Sequence, residues 1–266
     1  MRPLKRWLGR RRTSVEVSEA RGVRSLHLGG AAVQSAIRLA SPDRLELAYT
    51  RAMMAFLLFR PEPREILMIG LGGGSIARFV HERLPCTRMT VLEINPEVVA
   101  AARAHFGLPD DRRLRVLVAD GGESVPRLRA ACDVLLLDAF DDLRSVPALA
   151  TRAFYEGCRE ALRPHGLLVV NFIANEPRFG VYLARIEQVF DGRVLCLPSE
   201  DRINMIVLAF RDQPAPIAVA ALERVARALK RRFDLRFDRF VRDLVHHNRE
   251  VEGELVLERG AARDRR

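Results

Sequence analysis

Two rhythms of hydrophobic and polar positions divide the chain. Residues 13–39 carry short alternating runs, with apolar Val15, Val17, Val23, Leu26, Leu28, Val33, Ala36 and Ile37 set among polar neighbours. Gly22 and the Gly29-Gly30 pair punctuate them. Alternation of period two between turn residues predicts a small antiparallel sheet. Ser41-Pro42-Asp43 then offers a helix start with Pro42 in its first turn. Leu45, Ala48, Tyr49, Ala52, Met53, Phe56 and Leu57 continue at helical spacing until Pro61 and Pro63 end it.

From residue 65 the rhythm becomes strand and helix in turn. Apolar runs at 66–69, 89–92, 114–118, 134–137, 167–172, 194–197 and 203–210 predict strands. Helical periodicity at 75–84, 96–106, 151–162 and 182–190 lies between them. The 66–69 run is wholly apolar, as a central strand covered on both faces requires. Only the polar turn 198–202 separates the last two strands. A crossover helix does not fit there, so that pair is expected to be antiparallel. The pattern predicts an α/β protein: a seven-stranded methyltransferase-type Rossmann fold with a small N-terminal antiparallel β element. Gln213-Pro-Ala-Pro216 reads as a linker to two amphipathic helices within 217–249. The expected organisation is a basic tail at 1–12, the β element and linking helix at 13–62, a cofactor-binding catalytic domain at 63–250, and a tail at 251–266.

Composition narrows the class. With 266 residues and 48% hydrophobic positions, one large domain with a sizeable core is expected. No apolar run approaches the roughly 18 residues of a membrane span. The N-terminal Arg2, Lys5, Arg6, Arg10, Arg11 and Arg12 have no apolar segment behind them, so a secretory signal is not expected and the cytoplasm is. The net charge of +10 suits an anionic partner. Yet Lys5 and Lys230 are the only lysines, and the arginines are spread along the whole chain. A compositional bias explains this better than a nucleic-acid surface, and no nucleic-acid partner is expected. Cys86, Cys132, Cys158 and Cys196 form no CxxC pair and have no histidine at ligand spacing, so no metal is expected.

The candidate chemistry lies just after the apolar runs. In an open α/β sheet, ligands bind at the carboxyl ends of the strands where strand order reverses. Gly70, Gly72, Gly73 and Gly74 follow the first run, giving a tight turn that a ligand can approach closely. Glu93 follows the second, where an acid accepts from two ribose hydroxyls. Asp120, followed by Gly121, follows the third, placed to accept from an adenine amine. That acid favours an S-adenosyl ligand over a dinucleotide. Asp138 and Asp141 follow the fourth, where carboxylates suit a cationic amine and can take its proton. Asp142 serves turn chemistry equally well.

These segments resemble the spermidine synthase (polyamine aminopropyltransferase) family over residues 15–210. Leu26-His-Leu-Gly-Gly30 with Gln34 resembles its N-terminal strand and turn, and Glu46-Leu-Ala-Tyr49 its acidic-plus-tyrosine helix. Gly70–Ser75, Glu93-Ile-Asn, Asp120-Gly121 and Asp138-Ala-Phe-Asp141 resemble its glycine turn, ribose, adenine and catalytic-loop motifs, and Phe154-Tyr155 a downstream pair. The resemblance implies cofactor contacts from Gly70, Gly72, Gly74, Glu93, Asp120, Gly121 and Asp138. It implies Asp141 as the base, with Asp138 in support, and a substrate pocket lined by Gln34, Tyr49 and Tyr155. It implies aminopropyl transfer from decarboxylated S-adenosylmethionine to an amine, and a homodimer. Some positions depart from the family. Gly73 stands where its turn carries an aspartate, Thr50 and Arg51 follow the tyrosine, and Asn171 lies near a missing glutamine. Cofactor positions therefore match better than amine positions. The alternatives are a methyltransferase using S-adenosylmethionine itself and a non-catalytic relative of the fold.

Overall fold

The computed structural model describes residues 14–30, 33–141 and 144–257. The expected basic tail at 1–12 and residues 258–266 lie outside the described residues. The N-terminal element is a three-stranded antiparallel sheet of β1 (Val15–Ala20), β2 (Val23–Leu28) and β3 (Val33–Arg38). Helix α1 (Ala48–Met53) follows, running into a 3-10 turn, Met54–Leu58, whose residues are all buried. The helix starts later than the Ser41-Pro42-Asp43 signal predicts. The Arg51 guanidinium donates to the carbonyls of Leu45 and Glu46 at 2.9 and 2.7 Å, so those carbonyls serve a side chain instead of a helical ladder.

The strand and helix rhythm from residue 65 is seen as expected. It runs β4 (Glu65–Ile69), α2 (Ser75–Arg83), β5 (Arg88–Glu93), α3 (Pro96–His105), β6 (Leu114–Val118), α4 (Gly121–Ser124) and β7 (Cys132–Leu137). A small hairpin of β8 (Phe140–Asp141) and β9 (Arg144–Ser145), unforeseen in the sequence, precedes α5 (Arg152–Ala161). Then come β10 (Leu162–Ile173), α6 (Phe179–Val189), β11 (Val194–Pro198) and β12 (Asn204–Phe210). Strand β10 starts well before its apolar core because Leu162 already pairs with Cys132. A register shift before Leu167 absorbs Arg163–Gly166.

The seven-stranded sheet has the order β11-β12-β10-β7-β4-β5-β6. β4, β5, β6, β7 and β10 are parallel, while β12 is antiparallel to both β10 and β11. Every residue of β7 is buried, since helices cover both faces there. Two apolar clusters fill those faces. One gathers α2, α3 and the C-terminal helices, the other α5 and α6.

Beyond the linker, β13 (Ile217–Ala218) leads into α7 (Val219–Phe233) and α8 (Phe237–His247). Of the stripes Leu222, Val225, Ala226, Leu229 and Phe237, Phe240, Val241, Leu244, all are buried except Val225, which is half-buried. The expected tail at 251–266 is corrected in its first part. β14 (Glu250–Val251) and β15 (Glu254–Leu255) form a hairpin whose Leu255 is buried and pairs with Ile217.

Candidate active site

The described residues enclose a cavity of about 420 Å³ at the carboxyl ends of β4, β5, β6 and β7. Strand order reverses between β4 and β7, and there the two backbones touch. Asp138 N donates to Ile69 O at 2.9 Å, and a Cβ added at Gly70 would stand 2.0 Å from Asp138 O. Gly70 also has φ +89°, so only glycine fits this junction. Strand β3 covers the turn. Ser35 Oγ and Ser75 Oγ lie 2.9 Å apart, and Ser75 Oγ donates to Ala36 O at 3.2 Å. The small N-terminal sheet therefore forms one wall of the cavity, with Leu28, Gln34 and Ser35 lining it.

Glu93 is 8% exposed and fixed by two backbone donors, Leu71 N at 2.9 Å on Oε2 and Asn95 N at 2.8 Å on Oε1. Burial raises its pKa, and those donors pull it back. Each oxygen keeps a second lone pair for a ligand hydroxyl. Asp120 caps α4, with Oδ1 accepting from Gly122 N at 2.8 Å. Among the described residues only that oxygen is committed, so the other can serve an amine donor.

Asp138 stands at the wall nearest β3 and α1. Asn171 Nδ2 donates to its Oδ1 at 2.9 Å, and the Tyr49 hydroxyl, whose single proton can go either way, lies within hydrogen-bonding reach of both Asp138 and Gln34 O, 3.1 Å from the latter. Burial pushes the Asp138 carboxyl up to about 6, against the pull of Asn171 and Tyr49. Burial, and then the charge of Asp138, push the Tyr49 hydroxyl well above its usual value. The result is a carboxylate held by neutral donors, short of a cation.

The structure brings Gln34, Tyr49, Gly70, Gly72, Glu93, Asp120, Gly121 and Asp138 to one cavity. Two expected positions fall elsewhere. Gly74 is the left-handed N-cap of α2 with Leu108 against it, and it does not line the cavity. Tyr155 is fully buried in the α5 and α6 core, away from the cavity, and its hydroxyl has no hydrogen-bond partner among the described residues. Asp141 contributes backbone to β8, its side chain lies outside what is described, and Asp142 lies outside the described residues. Sequence reasoning missed Ser35, Thr50, Ser75, Asn95 and Leu149 on the wall. It also gave Asn171 no role. The available signal was a lone amide inside the apolar run Leu167–Phe172.

Gly73 explains the departure at the turn. A Cβ there would stand 2.8 Å from Phe106 Cδ1 and 2.9 Å from Ser35 Oγ. Those two side chains fill the space that any larger residue at this position needs.

Residues 46–186 match the family model described as the spermine/spermidine synthase domain. A polyamine aminopropyltransferase of Chromobacterium violaceum is 43% identical over 91% of this chain and 94% of its own length. The chain belongs to the spermine/spermidine synthase family. Two solved structures show the same fold. A probable spermidine synthase of Corynebacterium glutamicum aligns with a TM-score of 0.69 at 24% identity, covering 82% of each chain. Human methyltransferase-like protein 13, solved in complex with SAH, aligns with a TM-score of 0.64 at 26% identity, covering 71% of this chain and 93% of that one. The family match spans α1 to α6 and so contains the glycine turn and every acid of the cavity. Among the described residues no helix is long and apolar enough to cross a membrane, and no group of acids, histidines and cysteines is placed to hold a metal.

Proposed function

We propose that this chain transfers an aminopropyl group from decarboxylated S-adenosylmethionine to an amine acceptor. The observation that carries the reading is the placement of Asp138 in the same cavity as Glu93 and Asp120. Glu93 would accept from the ribose hydroxyls and Asp120 from the adenine amine. Gly70 and Gly72 let the ligand reach the backbone. Asp138 is anionic and surrounded by neutral donors, so an ammonium supplies the countercharge it lacks. A cavity of about 420 Å³ suits a nucleoside with a short tail.

When bound, the sulfonium supplies an electrophilic carbon and a neutral thioether leaving group. The residues do the rest. Asp138 holds the acceptor nitrogen, and Asp141, on the family resemblance, takes its proton as the carbon–nitrogen bond forms and the carbon–sulfur bond breaks. An Asp138 carboxyl near 6 is mostly ionised at neutral pH and so can hold a cationic amine there. Names of relatives support the same reading, since the curated relatives of 40–43% identity over most of the chain are polyamine aminopropyltransferases.

The test is mass spectrometry of reactions holding the decarboxylated cofactor and a panel of diamines and polyamines, with putrescine first. An aminopropylated product is expected. Its absence across the panel sinks the reading. Methyl transfer from S-adenosylmethionine is the second reading, favoured by the filled space at Gly73. Calorimetry with both cofactors separates them, and tighter binding of the decarboxylated form is expected.

A further inference from the structure

Asp138 is held by a line of buried amides that runs from the cavity to the turn between β11 and β12. Asn171 Nδ2 donates to Asp138 Oδ1 at 2.9 Å, and Asn204 Nδ2 donates to Asn171 Oδ1 at 3.0 Å. Asn171 and Asn204 are 4% and 8% exposed. Ser199 Oγ accepts from Asn204 N at 2.9 Å and donates to Asp201 Oδ1 at 2.6 Å. Asn171 lies between Val170 and Phe172 and pairs across the sheet with Ile206, all buried. An apolar residue would cost less at that position than an amide, unless the amide is needed to orient something.

The direction of the line matters. An asparagine can present either its amide N–H or its carbonyl to a neighbour. Because Asn204 donates to the carbonyl of Asn171, the N–H side is left to face Asp138. A donor there favours the carboxylate, whereas an acceptor would favour the acid. A second arm reaches Asp138 from α1 through Tyr49. Two residues along that helix, the Arg51 guanidinium donates to Glu200 Oε2 at 3.1 Å, in the turn that also holds Ser199 and Asp201. The arginine that departs from the family pattern thus ties the two arms together.

We propose that Asn171 and Asn204 are positioning residues for the transfer reaction: Asn204 fixes the orientation of the Asn171 amide so that it always presents a donor to Asp138, and the Arg51–Glu200 pair holds the two arms in register. This rests on the placement of Asp138 at the amine under the proposed function. Among the described residues the other titratable groups lining the cavity are Tyr49, Glu93 and Asp120; the variants below leave these in place, and Asp141 with them.

The experiment compares wild type, Asn171→Leu, Asn204→Asp and the double variant. It reads two pH profiles: kcat/KM, and the melting temperature without ligand. In Asn204→Asp the Asn171 amide turns its N–H groups to the new carboxylate and its carbonyl to Asp138. Both profiles should then move upward from about 6 by on the order of one pH unit. Asn171→Leu should move them in the same direction. In its background, Asn204→Asp should add little, because the effect passes through the amide. Folded variants whose limbs stay in place overturn the proposal, as does a full shift from Asn204→Asp without Asn171. The melting profile needs no turnover. If no aminopropyl product is found yet that limb moves, the amide line stands and the transfer reading fails. If product forms and neither limb moves, the reverse holds.

Discussion

Under the proposed transfer, Asp138 is the carboxylate that meets the amine. Burial pushes its carboxyl up to about 6, with only neutral donors to pull it back. Asp138→Asn should lower kcat/KM by roughly 10–100-fold, as expected for losing one charge-assisted hydrogen bond to the amine. A bound cationic amine should move the wild-type limb downward, since an ammonium favours the carboxylate. The limb of kcat should therefore lie below that of kcat/KM, which steady-state rates across pH 5–8 will show. Gly73 makes a second point about single positions. Restoring the family's acid with Gly73→Asp forces its Cβ against Phe106 and Ser35. The expected cost is about 1–3 kcal/mol in urea unfolding, as for other overpacked sites. Adding Phe106→Leu should recover part of it. Asp138 could be picked out from the sequence because it follows an apolar run at the right place. The reason an acid at Gly73 would be crowded was hidden, because Phe106 and Ser35 approach it from elements distant in the chain.

The elements show the same division. Parallel strands that are buried on both faces announce themselves as continuous apolar runs, which is why β4, β7 and β10 are legible, while the edge strand β6 keeps an apolar run although Leu117 and Val118 are exposed. The antiparallel β11–β12 pair follows from its short turn. The hairpin β14–β15 left no comparable signal, since Val251 is exposed and Leu255 is its one buried residue. That hairpin depends on a partner, Ile217, across the two C-terminal helices. Leu255→Ala should cost about 2–3 kcal/mol, at the low end for a buried leucine, and should lower the urea midpoint with little change in the m-value. The late start of α1 was illegible for a related reason. The guanidinium of Arg51 competes for carbonyls that local propensity assigns to a helix.

For the molecule as a whole, the site sets a pH dependence on folding. A carboxyl whose folded pKa is raised favours the neutral form. Its contribution to stability is full below about 4, the unfolded value, and is lost as pH rises through about 6. Asp138 keeps some contact with the cavity, so the loss is on the order of 2 kcal/mol. Thermal unfolding from pH 4.5 to 7.5 should show this fall in wild type, and Asp138→Asn should flatten it. The N-terminal sheet joins the Rossmann core through a few specific contacts. Leu26 and Ile37 of the sheet pack on Phe106, Ser35 meets Ser75, and the buried Arg78 of α2 donates to Pro42 O, just beyond the sheet, at 2.7 Å. Those contacts cover one side of the strand-end crevice.

The periodicity of the chain was enough to specify an α/β sheet with its hairpin end. The position of each acid after an apolar run was enough to predict that Glu93, Asp120 and Asp138 share one cavity, because strand ends and ligand sites coincide in this architecture. Local pattern carries that information, since a strand or a helix writes its buried face into successive residues. Three features depended on contacts between distant segments: Tyr155 facing the core, Phe106 and Ser35 closing on Gly73, and Asn204 orienting Asn171 beside Asp138. A side chain's neighbours across the fold are set by packing, and packing leaves no period in the sequence. The glycine turn and its acids could be read from the chain, but the way the site holds its central carboxylate had to be seen in three dimensions.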